Sequence, residues 1–189
     1  PHKAFIPEAN DHLKGLGRVN GDWVFGVQKR SPQGEATLDM DATLVETSKK
    51  EALYSYKGFG AYQPVSVWWE EQQLILHSEF RDGNVPAGYE NLRLLQEALD
   101  LLPPGVEKVS LRTDTAGYQQ DLLKYCGEGR SQRFGVIEFA IGVDVTEAFK
   151  KAVSETAEEE WKPLRREVHG KWQETGQEWA EVCYVPEWA

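Results

Sequence analysis

The run "ATLDMDATLV", residues 36–45, constrains the fold more than any other stretch of the chain. Leu38, Met40, Ala42 and Leu44 alternate with Thr37, Asp39, Asp41 and Thr43. A period of two places the first set on one face of a β-strand and the second set on the other. One side of this strand can enter a core. The other side carries two carboxylates two residues apart.

The segments that follow extend the pattern. Val65, Val67 and Trp69 alternate in "PVSVWWEE", and "LILHSEF" (74–80) puts Leu74, Leu76 and Phe80 on one face. Only the polar "EEQQ" separates these two runs, so they form an antiparallel hairpin. "YENLRLLQEALDLL" then spaces Leu92, Leu95, Leu99 and Leu102 as a helix does, and Pro103, Pro104 and Gly105 stop it. "VEKVSLRTD" is a fourth strand and "AGYQQDLLKYCGEG" a second helix. "RFGVIEFAIG" is a fifth strand, and "TEAFKKAVSETAEEEWKPLRREV" a third helix broken near Pro163. "EWAEVCYVP" adds one more strand. Residues 1–35 form a connecting segment, with one short strand or helix and then a loop. The order βββαβαβα predicts an α/β chain with a mixed sheet and helices on its faces. That order is the order of the ribonuclease H-like fold, though a fold alone assigns no activity.

Bulk properties narrow the class. The 189 residues suit one sizeable domain with a small appendage, and 40% of them are apolar. No apolar run is long enough to cross a bilayer, and no secretory leader is visible. The chain starts without Met, so a processed or excised segment is expected. Cys126 and Cys183 lack metal-ligand spacing and read as structural thiols of a reducing cytoplasm. The net charge of −10 argues against an avid nucleic-acid binder that works by Lys and Arg alone. It leaves room for a carboxylate site whose charge is neutralised by metal ions.

Two chemistries use acids in this arrangement. "LDMDATLV" resembles the Asp-x-Asp-x-Thr element of haloacid dehalogenase-type phosphatases, which would make Asp39 the nucleophile and Asp41 the general acid and base. Ala42 stands where that family has Gly. A hairpin follows in place of parallel strand–helix units, and no later acidic pair supplies magnesium ligands.

The span 36–145 resembles the catalytic domain of bacterial insertion-sequence transposases of the DDE class. The resemblance is to the IS-four superfamily and its IS-thirteen-eighty group. It rests on "ATLDMDATLVET", "YKGFGAYQPVSVWW", "EFRDGNVPAGYENLR", "LRTDTAGYQQDLLKYC" and "RFGVIEFAIG", in the family's order and spacing. It implies a ribonuclease H-like fold, metal-dependent DNA cleavage and strand transfer, and three acids holding two Mg²⁺ or Mn²⁺ ions. Asp41 and Asp114 match the first two acids. The third, a Glu on a late helix, has no match here, and the expectation is that the chain ends before it. Residues 36–170 then form a partial catalytic core, and 171–189 begin a strand-rich insertion. Element ends and target DNA are the implied partners, in a homodimer of the bacterial cytoplasm, associated with the nucleoid when active and with no membrane role.

Physical reasoning supports the pair. A right-handed crossover can set the fourth strand parallel to the first and bring the two aspartates together. Carboxylate oxygens suit Mg²⁺. Asp39 lies roughly 6.5 Å back along the strand and is expected to support the site rather than bind metal. Glu155, Glu158, Glu159 and Glu160 could stand in for the third acid, but a solvated acidic face accounts for them as well. A ribonuclease H-like domain that only binds DNA or partner subunits is the non-enzymatic alternative.

Lys57, Arg81, Asn84 and Arg112 are candidate DNA contacts. Turn formation by Asp82, Gly83 and Asn84 accounts equally well for "FRDGN". Of Trp68 and Trp69, which face opposite ways, one belongs to the core. His77 reads as structural, and His2, His12 and His169 form no metal pattern.

Overall fold

The computed structural model describes residues 6–186. His2 and the last residues of "EVCYVPEWA" lie outside that range. The chain divides into two compact units between Val143 and Asp144.

The first unit opens with helix α1, Asp11–Arg30. Asn10 caps it, its side-chain oxygen accepting from Leu13 N at 3.0 Å. The sequence reading allowed only a short strand or helix here. Glycines at 15, 17, 21 and 26 depress helix propensity. Packing restores it: Val24 is buried in the core, and Asn20 Nδ2 donates to the carbonyls of Ile75 and Leu76.

The sheet follows. Strand β1 is Glu35–Ala42. The short pair β2, Val45–Glu46, and β3, Ala61–Tyr62, forms a separate two-stranded ribbon. Strand β4 is Val65–Trp69 and β5 is Leu74–Glu79. Helix α2, Asn91–Leu101, leads to β6, Lys108–Thr113. Helix α3, Gln120–Gly127, leads to β7, Glu138–Ile141. Spatially the five-stranded order is β5-β4-β1-β6-β7. β4 and β5 run antiparallel to their neighbours, while β6 is parallel to β1 and β7 to β6. This is the mixed, ribonuclease H-like sheet that the element order predicts.

One core holds the unit together. Leu38, Met40, Val67, Trp69 and Leu111 from the sheet meet Leu94, Leu95, Ala98 and Leu99 of α2 and Leu122 and Cys126 of α3. Trp69 is the core tryptophan, and Trp68 is half-buried on the opposite side, its indole N–H bonded to Glu70. A register shift between Val67 and Trp68 marks a β-bulge opposite Leu76. Beyond it, His77 pairs with Val67 and Glu79 with Val65, which are core-facing positions. His77 therefore meets Glu97 of α2 at 3.1 Å, as a structural histidine does.

In the second unit, helix α4 spans only Glu147–Ser154. The expected continuation to residue 168 is overturned. Residues Lys162–Val168 form strand β8, which pairs antiparallel with β9, Lys171–Trp179, across a turn at His169 and Gly170. Pro163 cannot donate a helical hydrogen bond. The alternation of Leu164, Arg166 and Val168 suits a ribbon instead. The last expected strand also shifts: it ends at Trp179, and residues 180–186 have no regular structure. Among the described residues no helix is long and apolar enough to cross a membrane.

Two outcomes test this packing. Leu111→Ala should cost about 2–5 kcal/mol in urea unfolding, because Leu111 is fully buried at the centre of the sheet. Burial also pushes the Cys126 thiol up to about 11 from an ordinary 9.0. At pH 8 its thiolate fraction is then about a hundredfold below that of an ordinary thiol. Exposed Cys183 should react with a thiol reagent in the native protein, and Cys126 only on unfolding. Equal rates in the native state would contradict the packing.

Candidate metal-binding edge and its supports

The site is built by the β1–β6 ladder. Leu38 pairs with Leu111, Asp39 with Arg112 and Met40 with Thr113. The register ends at Met40 opposite Thr113, so Asp41 and Asp114 are the residues that follow directly on the two strands. Neighbouring strands lie about 4.8 Å apart, and partners in a parallel ladder share a face. Both aspartates are exposed at the carboxyl edge of the parallel strands, where open α/β sheets bind ligands.

One step back, Asp39 is fully engaged. Arg112 Nη2 meets Asp39 Oδ2 at 2.5 Å, and Arg112 Nε donates to Asp39 Oδ1. Arg112 also lies 3.5 Å from Glu70. Hydrogen bonding to Asp39 pushes the guanidinium pKa further up. A carboxylate held by both oxygens is a poor nucleophile, so the phosphatase role for Asp39 loses its reactive group. The supporting role expected for Asp39 matches this pairing.

The turn carrying Asp114 is fixed from several sides. Asp114 Oδ1 accepts from Ala116 N at 2.8 Å, capping a short 3₁₀ turn over Thr115–Gly117. Gly117 packs so closely on Thr113 that an added Cβ would lie 2.1 Å from its methyl carbon. Gly142, just after β7, donates to Thr113 O at 3.1 Å, and a Cβ there would lie 2.9 Å from Thr115 N. Buried Asn91 donates Nδ2 to Ala116 O at 3.1 Å. Gln119 Nε2 reaches both Ala116 O and Gly88 O, at 2.8 and 2.5 Å. The loop before α2 is thereby tied to the Asp114 turn. Sequence reasoning missed Asn91, Gln119, Gly117 and Gly142. Their only signal was a position inside the "AGYENLR", "TDTAGYQQ" and "RFGVIEFAIG" blocks.

The four candidate DNA contacts fall in different places. Lys57 is exposed, its ammonium 5.7 Å from the centre of the Tyr56 ring. Arg112 is exposed but paired with Asp39. Asn84 is half-buried in its turn. Arg81 is completely buried, so as folded it meets no external phosphate. Its Nε donates to Glu79 at 2.7 Å, while its two terminal nitrogens have no hydrogen-bond partner. Glu79 also accepts from Arg93 at 2.6 Å, and Arg93 reaches Glu90 and Glu97. Burial pushes the Glu97 carboxyl up, but Arg93 outweighs it and holds the group below the usual range.

Two adjacent carboxylates with hard oxygen donors fit a divalent cation such as Mg²⁺ or Mn²⁺. Among the described residues no group of three or more His, Cys, Asp or Glu side chains is arranged to hold a metal.

A family model described as "Transposase DDE domain group 1" matches residues 8–187. The chain belongs to that family. No curated protein matches it in sequence. Among solved structures, it is similar to the catalytic domain of the Mos1 mariner transposase, with 10% identity and a TM-score of 0.40. That alignment covers 75% of this chain and 66% of the other. The Mos1 transposase paired-end complex with the left transposon end matches at 12% identity and TM-score 0.38, covering 82% and 57%. The Drosophila P element transposase strand transfer complex matches at 14% and 0.33, covering 84% and 39%. The chain thus spans less than two thirds of the length of each. DDE transposases use divalent metals.

Gly117→Ala should disturb the Asp114 turn without unfolding the core. The methyl group must displace Thr113 or the turn, which typically costs about 1–3 kcal/mol. The amide resonances of residues 113–117 should shift while those of residues 94–101 of α2 stay in place. A silent spectrum would show that the turn is not held as described.

Proposed function

We propose that this chain is the metal-binding part of the catalytic domain of an insertion-sequence transposase, of the IS-four superfamily and its IS-thirteen-eighty group. In this reading it cleaves DNA at the element's ends and joins them to target DNA. The observation that supports the reading is the parallel β1–β6 ladder, whose last pair, Met40 and Thr113, lies one residue before the exposed Asp41 and Asp114.

Asp41 and Asp114 hold Mg²⁺ or Mn²⁺, with two ions in the complete site. Metal bound there supplies Lewis-acid polarisation of a phosphodiester and its attacking oxygen. The chain's own residues fix the geometry. Arg112 neutralises Asp39 so that one carboxylate fewer repels the DNA backbone. The Gly117 and Gly142 packing and the Asn91 and Gln119 bonds keep the Asp114 turn in place. Cleavage is attack by a water oxygen on phosphorus, releasing a 3′-hydroxyl. Joining is attack by that 3′-hydroxyl on a target phosphate, with the target strand's own 3′-oxygen leaving as a new 3′-hydroxyl.

By the family's pattern a third acid, a Glu on a late helix, completes the site. The β8–β9 ribbon of the second unit is read as the beginning of the strand-rich insertion that precedes it. Lys57 contacts phosphate directly. Arg112 and Asn84 contribute at the margin of the site, and Arg81 shapes the 82–88 turn from within. Element ends and target DNA are the partners, the active complex is a homodimer, and the setting is the bacterial cytoplasm.

Metal binding tests this in the chain as it stands. Titration with Mn²⁺, followed by electron paramagnetic resonance, should show a site lost in both Asp41→Asn and Asp114→Asn. In the parent protein the same variants should lower nicking of element-end DNA roughly a thousandfold or more, as loss of one member of a catalytic unit does. Wild-type rates in either variant would refute the reading. DNA binding with neither metal binding nor nicking would favour the non-catalytic alternative.

A further inference from the structure

Residues 43–64 leave the sheet and return to it right beside the aspartate pair. Ala42 pairs with Val65, and Thr43 N donates to Pro64 O at 2.9 Å, so both ends of this arm are anchored one residue from Asp41. The arm is a built structure. Val45 and Glu46 pair with Tyr62 and Ala61, Thr47 N donates to Gly60 O, and Tyr54 bridges Gly60. Its root is buried: Leu53 N donates to Asp82 Oδ1 at 2.7 Å, and Ala52, Ala61 and Asp82 are buried.

Its tip is a fixed turn that displays aromatic rings. Ser55 is buried, its amide and hydroxyl both donating to Phe59 O, and Gly58 N donates back to Ser55 O. Tyr54 and Tyr56, on either side of the inward Ser55, are 73% and 78% exposed. Two neighbouring tyrosines held outward by a rooted turn differ from scattered surface apolar residues. Most of their surface is left in water. Lys57 lies against Tyr56, and Lys49 and Lys50 stand on the same arm, in a chain of net charge −10.

We propose that Tyr54 and Tyr56, at the tip of the arm rooted at Asp41, form a stacking platform for unpaired DNA bases, with Lys57 on the adjoining phosphate. The inference rests on the transposase reading and adds the form of DNA that the arm takes: a strand whose bases are unstacked at its tip. The chemistry favours nucleic acid. Aromatic faces alternating with lysines are what a sequence-tolerant single-strand site needs, since every base has a π-face and every nucleotide a charge. Fully paired DNA offers the tyrosines no base face, so for duplex only the lysine contacts remain.

The test uses this chain with a forked duplex carrying 2-aminopurine in its unpaired arm, and with the fully paired duplex of the same sequence. Binding to the fork should alter 2-aminopurine fluorescence. The double variant Tyr54→Ala/Tyr56→Ala should weaken fork binding about tenfold or more and change duplex binding less than about twofold. Tyr54→Phe/Tyr56→Phe should bind the fork as wild type, and Tyr54→Leu/Tyr56→Leu should not. Lys57→Ala should weaken both ligands and reduce the salt slope by about one. Both tyrosines are exposed, so circular dichroism should be unchanged in every variant. Wild-type fork binding by the alanine pair overturns the proposal while leaving the Asp41 and Asp114 results standing. Loss of self-association with fork binding intact would assign the tyrosines to a protein contact and overturn it too. If the chain binds neither DNA, this inference falls, whereas the function stands or falls on metal binding and nicking.

Discussion

The parallel pairing of β1 with β6 is the constraint on which the site depends. Parallel strands cannot be joined by a tight turn, so the chain between them must run through a hairpin and a crossover helix. Here β4, β5 and α2 fill that interval, and α2 buries Leu94, Leu95, Ala98 and Leu99 against the sheet. The same packing fixes the register. A slip by one residue would carry Leu38 and Met40 out of the core and turn Asp39 and Asp41 into it. Hydrophobic burial on one face therefore positions carboxylates on the other.

Register also separates the roles of three acids that look alike in sequence. Asp39 stands opposite Arg112, whereas Asp41 and Asp114 each follow the last paired residues, Met40 and Thr113. A two-residue difference along β1 becomes the difference between a carboxylate bonded to a cation and one exposed at the edge of the ladder. The surrounding polar groups act at longer range. Glu79 gathers Arg81 and Arg93 between β5 and α2, and Asn91, at the start of α2, holds the turn that carries Asp114. Disturbance of α2 would thus reach the Asp114 turn directly.

Much of this was legible in the chain. The alternation of Leu38, Met40, Ala42 and Leu44, the hairpin at "EEQQ" and the leucine spacing of α2 each reflect burial on one face, and the sheet follows from their order. Asp41 and Asp114 stood at strand ends within long motif blocks. What was not legible lies where tertiary contacts override local preference. α1 forms despite four glycines because its side chains dock on β5 and the core. Residues 162–168 look helical by composition, yet they pair with a partner strand that begins only at Lys171. The bulge at Val67 and Trp68 turns His77 and Glu79 toward α2, which no alternation rule anticipates. Arg81 looked like a surface cation because arginines usually are, but its neighbour Asp82 draws the segment inward by bonding Leu53 and Gly83 amides.

The distribution of cations around the pair gives the edge its chemical character. In a chain of net charge −10, two exposed carboxylates just past the last pair of the β1–β6 ladder repel each other and any approaching phosphate. The nearest arginine could have relieved this, yet Arg112 is committed one step back to Asp39 by two hydrogen bonds. The fold thus leaves Asp41 and Asp114 without a side-chain counter-ion from that arginine while shielding the carboxylate beside them. In the proposed function a divalent cation would fill that role in a way an arginine cannot, leaving the carboxylates in place as ligands while presenting positive charge outward.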